Sequence, residues 1–373
     1  MNPGLYLHIP FCRSKCPYCG FYSVASTSLV SRWLPALQKE IIHYKGRFDR
    51  FDSLYIGGGT PTCLDVGALS NMMETLLAYL DFAPDTEKTI EANPGDLTRE
   101  KIAALKTLGF NRVSLGVQAF DDHTLSFLGR THTALEAEKA LLNLRSSGFD
   151  NIGIDLIYGY EGQTIETWKH TLEKALSFRP EHLSCYQLTF EEKTVFDRSK
   201  HQGIIKPLTE EEEAALFVTT STFLQARGYI HYEVSNFARE ENYASRHNRK
   251  YWHHVPYLGL GPSAHSFQDK TRWWNVRSIR AYCEALESGR APVEGHERLT
   301  DEQLELETVS LGSRTMEGFD LNEITRTPHT AKNLSTLQDA GFIRVKDGRV
   351  LPTQKGYLMA DHLPFWFLPS SPG

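Results

Sequence analysis

Short runs of β-branched and aromatic residues recur along the first half of the chain. Residues 5–8, 53–57, 88–92, 112–117, 152–157 and 182–188 read as strands. Between them the apolar period lengthens to that of helices. Residues 134–144 place Leu135, Ala137, Leu141, Leu142 and Leu144 at helical spacing with Gly148 as a stop, and Thr98 caps a helix over 101–108 that Gly109 ends. Six strand-then-helix units predict an α/β fold with a parallel sheet and helices outside. Right-handed crossovers curl such a sheet toward a barrel, which six units leave open.

The pattern changes after about residue 229. Aromatic- and His-rich loops from 232 to 274 are expected to cap the barrel mouth, and a polar stretch over 291–300 leads into helices at 301–316 and 330–340. A hairpin-like segment, 341–351, follows with Asp347-Gly348 as its turn. The expected organisation is therefore a partial barrel (1–229), a capping segment (230–290) and a small winged-helix-like C-terminal domain (291–373). Winged helices often bind DNA, but residues 300–360 carry nine acidic against seven basic side chains. That balance disfavours phosphate contact and points to a packing or partner role.

The 373 residues, 40% of them hydrophobic, can bury a full core, and the net charge of −6 offers no footprint for nucleic acid or an anionic membrane. No apolar window reaches membrane-spanning length and the N-terminus lacks a secretory pattern, so the expected location is the cytoplasm. Reduced thiols fit that compartment. Cys63, Cys185 and Cys283 show no motif spacing and read as small buried hydrophobes.

The other three cysteines, Cys12, Cys16 and Cys19, fall within eight residues just after the first apolar run. Three close thiolates without a nearby fourth suit a four-iron cluster with one iron left open to another ligand. A structural zinc site normally closes with four ligands, and only His8 lies near enough to be the fourth.

This C-x3-C-x2-C triad, with Tyr18 before its last cysteine, resembles that of the radical S-adenosylmethionine proteins. The run Tyr6-Leu7-His8-Ile9-Pro10-Phe11-Cys12 is similar to the oxygen-independent coproporphyrinogen III oxidase group. The resemblance implies an open six-stranded βα barrel and a [4Fe-4S] cluster on Cys12, Cys16 and Cys19. It also implies S-adenosylmethionine chelated to the open iron, with an electron donor where that molecule is cleaved to a deoxyadenosyl radical. Matching positions assign Gly58, Gly59 and Thr60 to the methionine part, with further contacts from Tyr6, Glu91, Gln118, Arg130 and Asp155. Arg130 would fork the methionine carboxylate, while Glu91 and Asp155 would accept from ribose hydroxyls. One loop departs from the family pattern, Gly159-Tyr160-Glu161-Gly162-Gln163-Thr164 in place of Gly-Leu-Pro-Gly-Gln-Thr.

Within that group two branches compete. The oxidases carry a further cysteine where this chain has Phe21, and an extra N-terminal segment where only eleven residues precede Cys12. The haem chaperone branch carries His-Asn-x-x-Tyr-Trp, matched by His247-Asn248-Arg249-Lys250-Tyr251-Trp252. The resemblance thus implies a protein that binds haem and passes it to an acceptor protein. His247 is expected as the main iron contact with Tyr251 and Trp252 covering the ring, and His265 is a second candidate beside His253 and His254.

Overall fold

A computed structural model of the protein describes residues 2–325 and 329–367. All six expected strands form: β1 (Gly4–Ile9), β2 (Phe51–Gly58), β3 (Phe82–Ala92), β4 (Arg112–Gln118), β5 (Ile152–Tyr158) and β6 (His182–Gln187). They pair parallel in chain order, with Leu5 opposite Leu54, Ile56 opposite Ile90 and Asp155 opposite Ser184. Successive side chains on a strand point to opposite faces, and here the alternation sorts by chemistry. Leu5, Leu7, Leu54, Ile56, Ile90, Val113, Leu115, Ile154, Leu156 and Leu183 are buried in one core with helix residues such as Trp33, Leu69, Ile102, Leu141 and Trp168. The intervening Tyr6, His8, Tyr55, Glu91, Ser114, Asp155, Ser184 and Tyr186 line the recesses on the other face.

Caps fix where the intervening helices start. Thr98 accepts from the Lys101 amide, and Thr133 with Glu136 closes a reciprocal cap on the helix Ala134–Ser146.

Six strands are the centre of the sheet rather than its whole. Among the described residues it has twelve: β7 (Ile230–Glu233) and β8 (Asn236–Ala238) add to β6, while β9 (Tyr257–Leu260), β10 (His265–Gln268), β11 (Thr271–Asn275) and β12 (Val293–Arg298) extend it beyond β1. An open parallel sheet has two bare edges that must be covered, and these additions cover both. Residues 230–290 therefore contribute five strands to the sheet, with the helices Arg246–Trp252 and Ile279–Glu287 between and after them, where loops alone were expected. Their strands, mostly three to five residues long, are too short to show a clear period.

The C-terminal region has its own core around Val309, Phe319, Leu337, Ile343 and Val350. Helices Asp301–Gly312 and Thr330–Asp339 pack with β13 (Phe319–Asp320), β14 (Ile343–Lys346) and β15 (Arg349–Pro352), in the order β13-β15-β14. The expected hairpin turn is present, with φ of 50° at Asp347 and 77° at Gly348, as a two-residue primed turn requires. The parts of the expected domain at 326–328 and 368–373 lie outside the described residues. Among the described residues no helix is long and apolar enough to cross a membrane.

Candidate cofactor site

The cysteine loop leaves the end of β1 and is closed on itself: the Cys12 amide donates to Val24 O (3.0 Å) and the Val24 amide to Pro10 O (2.8 Å). Cys12 is buried, whereas Cys16 and Cys19 are partly exposed. Thr60 Oγ1 donates to Cys12 Sγ at 3.5 Å and Arg130 Nη1 to Cys16 Sγ at 3.4 Å. Burial pushes the Cys19 thiol up, more than the Phe21 backbone bond and the Lys15 charge pull it down. Among the described residues no three His, Cys, Asp or Glu side chains converge on a point that would hold a single metal ion. His8 is not presented as a fourth ligand, because its Nε2 pairs with Tyr22 O (2.8 Å) and its Nδ1 with Tyr6 Oη (3.1 Å).

The glycine run has a steric reason of its own. A Cβ on Gly57 would meet the Glu91 carboxyl at 2.7 Å, one on Gly58 the His8 ring at 2.4 Å, and one on Gly59 the Phe11 carbonyl at 2.4 Å. Gly58 also sits at φ 103°, which L side chains rarely adopt. The Gly59 and Thr60 amides donate to Ile9 O and Phe11 O at 2.8 and 2.7 Å. These residues thus press the end of β2 against the cysteine loop.

Around this contact lies a cavity of about 1750 Å³, lined by the three cysteines together with Gly58, Gly59, Thr60, Glu91, Gln118, Arg130 and Asp155. Seven of the eight expected S-adenosylmethionine residues thus share one cavity with the three thiols, and Tyr6 opens instead into an adjoining recess. Glu91 accepts from Tyr55 Oη (2.8 Å) and the Gly58 amide (3.1 Å), and Asp155 accepts from Ser114 Oγ (3.1 Å). Withdrawal from water raises both acids, Glu91 to about 7. Arg130 also donates to Gly116 O at 2.9 Å, so both its Nη atoms are engaged, and its Nε has no partner among the described residues. Gln118, at φ 68°, keeps a buried Oε1 that has no hydrogen-bond partner among the described residues. Buried polar atoms are rarely left orphaned, so an unpaired acceptor and donor on two residues of the cavity wall fit a polar ligand beside the thiols.

The raised acid carries a pH dependence. A carboxyl whose folded pKa exceeds its unfolded value gives stability that is complete below 4.5 and lost as pH rises through about 7. Glu91→Gln, which does not titrate, should remove that decline, of up to about 1.4 kcal/mol per pH unit, from denaturant-measured unfolding free energies. A variant with the wild-type slope would show that Glu91 ionises normally.

The loop that departs from the family pattern is well tied. The Gly159 amide donates to Gln163 Oε1 at 2.6 Å, Gly159 and Gly162 take φ of 84° and 82°, and Thr164 caps the helix Ile165–Ser177. Cys185 and Cys283 are buried as expected, and Cys63 is half-buried.

The histidine-rich segment is arranged otherwise than its motif suggests. His247 is 1% exposed. Its Nδ1 pairs with Ser53 Oγ (3.0 Å) and its Nε2 with Tyr251 Oη (2.8 Å), so an iron at either nitrogen must first break a bond. Burial lowers its pKa to about 3. Trp252 faces away, packing on Tyr232 at 5.9 Å. His253 pairs with Glu317 (2.7 Å) and His254 with Glu307 (3.3 Å). His265 is exposed, with no hydrogen-bond partner for its ring among the described residues, and stacks on Trp274.

Two acidic or basic side chains with no exposed surface escaped the sequence reading. Lys250, an unspecified position of the motif, is fully buried with Nζ on Asp52 Oδ1 (2.5 Å) and Asn2 O (2.7 Å), which pins the helix Arg246–Trp252 under β1 and β2. Glu40 accepts from Tyr282 Oη, the Gly261 amide and Asn275 Nδ2, tying the helix Val30–His43 to β9 and β11. A helical period marks both positions only as misplaced polar residues; their partners are about 200 residues away.

The protein is thus an α/β protein whose parallel sheet turns a polar face to a cavity and carries a three-cysteine loop at the end of β1. The Radical SAM superfamily matches residues 6–175. The chain is 35% identical to the heme chaperone HemW of Bacillus subtilis over 96% of its own length and 97% of that protein's, and 35% identical to that of Synechocystis over 91% and 85%. Its fold superposes on coproporphyrinogen III oxidase (HemN) of Escherichia coli with a TM-score of 0.83 and 25% identity, covering 98% of this chain and 90% of that one. The chain belongs to the radical S-adenosylmethionine superfamily, in the HemN-like group that includes the haem chaperones.

Proposed function

We propose that this protein is a haem chaperone that holds a [4Fe-4S] cluster on Cys12, Cys16 and Cys19 and S-adenosylmethionine beside it, and passes haem to an acceptor protein. The near full-length likeness to proteins named heme chaperone carries the reading. Cluster and S-adenosylmethionine bound together would supply a sulfonium whose carbon–sulfur bond can be broken by one electron. This chain's own residues hold and orient that pair. Thr60 and Arg130 donate to the thiolates of Cys12 and Cys16, which lowers the cost of their negative charge. Gln118 Oε1 and Arg130 Nε offer one acceptor and one donor to the methionine end, while Glu91 and Asp155 offer carboxylate oxygens to hydroxyls.

Sites for ligands of drug size usually measure roughly 300–1,000 Å³. The present cavity is larger, and Leu358, Phe365 and Trp366 of the C-terminal region form part of its wall. That region, read as winged-helix-like, closes one side of the site instead of binding nucleic acid. A cytoplasmic location accords with a cluster and free thiols.

The likeness in fold to an oxidase favours one other reading, decarboxylation of coproporphyrinogen III. Phe21, 67% exposed on the rim, stands where the oxidases place a further cysteine and speaks against it. The test is what cluster-loaded protein does with two tetrapyrroles: haem retained and handed on, coproporphyrinogen III left unchanged.

A further inference from the structure

We propose that haem is seated in the aromatic recess beside the cysteine loop, with His265 as axial ligand and Arg277 as the cation for a propionate. The inference rests on the haem-chaperone reading and adds a place and two contacts to it. The recess measures about 520 Å³ and adjoins the cofactor cavity; Tyr55, Glu91, Tyr186 and Asn248 belong to the walls of both. A flat, largely apolar macrocycle that bears an open metal and two carboxylates needs aromatic walls, a free nitrogen and a free cation.

All three meet here. Phe21, Tyr22, Tyr251 and Tyr257 line the recess, and Tyr251 and Tyr257 pack edge to face at 4.6 Å. His265 opens β10 at its rim, and its ring lies 5.9 Å from Trp274 at 27°, held flat but unbonded. Of His247, His253, His254 and His265 it alone keeps both nitrogens free of hydrogen bonds among the described residues. Gly259 permits the placement, since a Cβ there would meet the His265 carbonyl oxygen at 2.0 Å. Arg277 is exposed, lies over the Tyr22 ring at 5.8 Å, makes one long bond from Nη2 to Gly20 O (3.5 Å), and has no carboxylate partner among the described residues. In this arrangement the His-Asn-x-x-Tyr-Trp motif builds the wall: His247 orients Tyr251 through their 2.8 Å bond and does not reach iron.

Ferric haem titrated into anaerobic, cluster-loaded full-length protein tests the seat, with absorption bands and affinity as readouts and iron and sulfide content confirming each variant's integrity. Wild-type should give nitrogen-ligated bands; His265→Ala should lose them, and added imidazole should restore them. Arg277→Ala should keep the bands but bind roughly ten- to a hundred-fold more weakly, a loss that disappears with haem dimethyl ester. His43→Ala, on the exposed end of the helix Val30–His43, should match wild-type. Retention of the bands in His265→Ala, no rescue by imidazole, or equal weakening of Arg277→Ala toward haem and its ester would overturn the seat while leaving the chaperone reading intact. Wild-type protein that retains no haem would remove both.

Discussion

Replacing any one of Cys12, Cys16 or Cys19 by Ala should reduce cluster iron and sulfide after anaerobic reconstitution to near background. A four-iron cluster with three protein thiolates has none to spare, and the remaining cysteines offer no substitute. Cys185 and Cys283 are buried in the core, and burial raises the Cys63 thiol to about 12. Cys63→Ala, Cys185→Ala and Cys283→Ala should therefore keep wild-type iron content. A requirement for one of these three, or full iron content in all three loop variants, would displace the cluster from the loop. The loop itself should survive cysteine loss, because its closure rests on the Cys12 and Val24 backbone bonds.

Asp52→Ala should be the most destabilising of the single changes outside that loop. It strands a fully buried ammonium with the Asn2 carbonyl as its one remaining partner among the described residues. Breaking one side of a buried pair typically costs about 3–5 kcal/mol, measurable as a shifted denaturation midpoint. Lys250→Met removes the buried charge and leaves Asp52, which still touches solvent, so it should cost less. Equal losses in the two variants would mean that packing of the Lys250 stem, and not its charge, holds the helix Arg246–Trp252 in place.

The sequence made the parallel centre of the fold legible because its strands are long enough to show apolar runs and its helices carry recognisable caps, as Thr98 and Thr133 do. The edges were less legible. A strand such as Asn236–Ala238 has three residues, and its pairing with β6 is decided by tertiary contact. The cysteine spacing and the glycine run pointed to the ends of β1 and β2, which the structure brings together, and the glycines serve the close approach of His8, Phe11 and Glu91. The motif at His247 was legible as a motif but not as a contact. Whether an imidazole faces a ligand or a Ser–Tyr pair depends on which side of a helix the sheet covers, and Lys250 with Asp52 sets that.

The central claim, a carrier of haem in place of an oxidase, is tested by one anaerobic incubation of cluster-loaded protein with reductant, S-adenosylmethionine and either haem or coproporphyrinogen III. The account predicts stable haem retention that survives gel filtration and transfers to an apo haem protein, with no protoporphyrinogen above a cluster-free control. Protoporphyrinogen formed well above that control, with haem lost on the column, would contradict it.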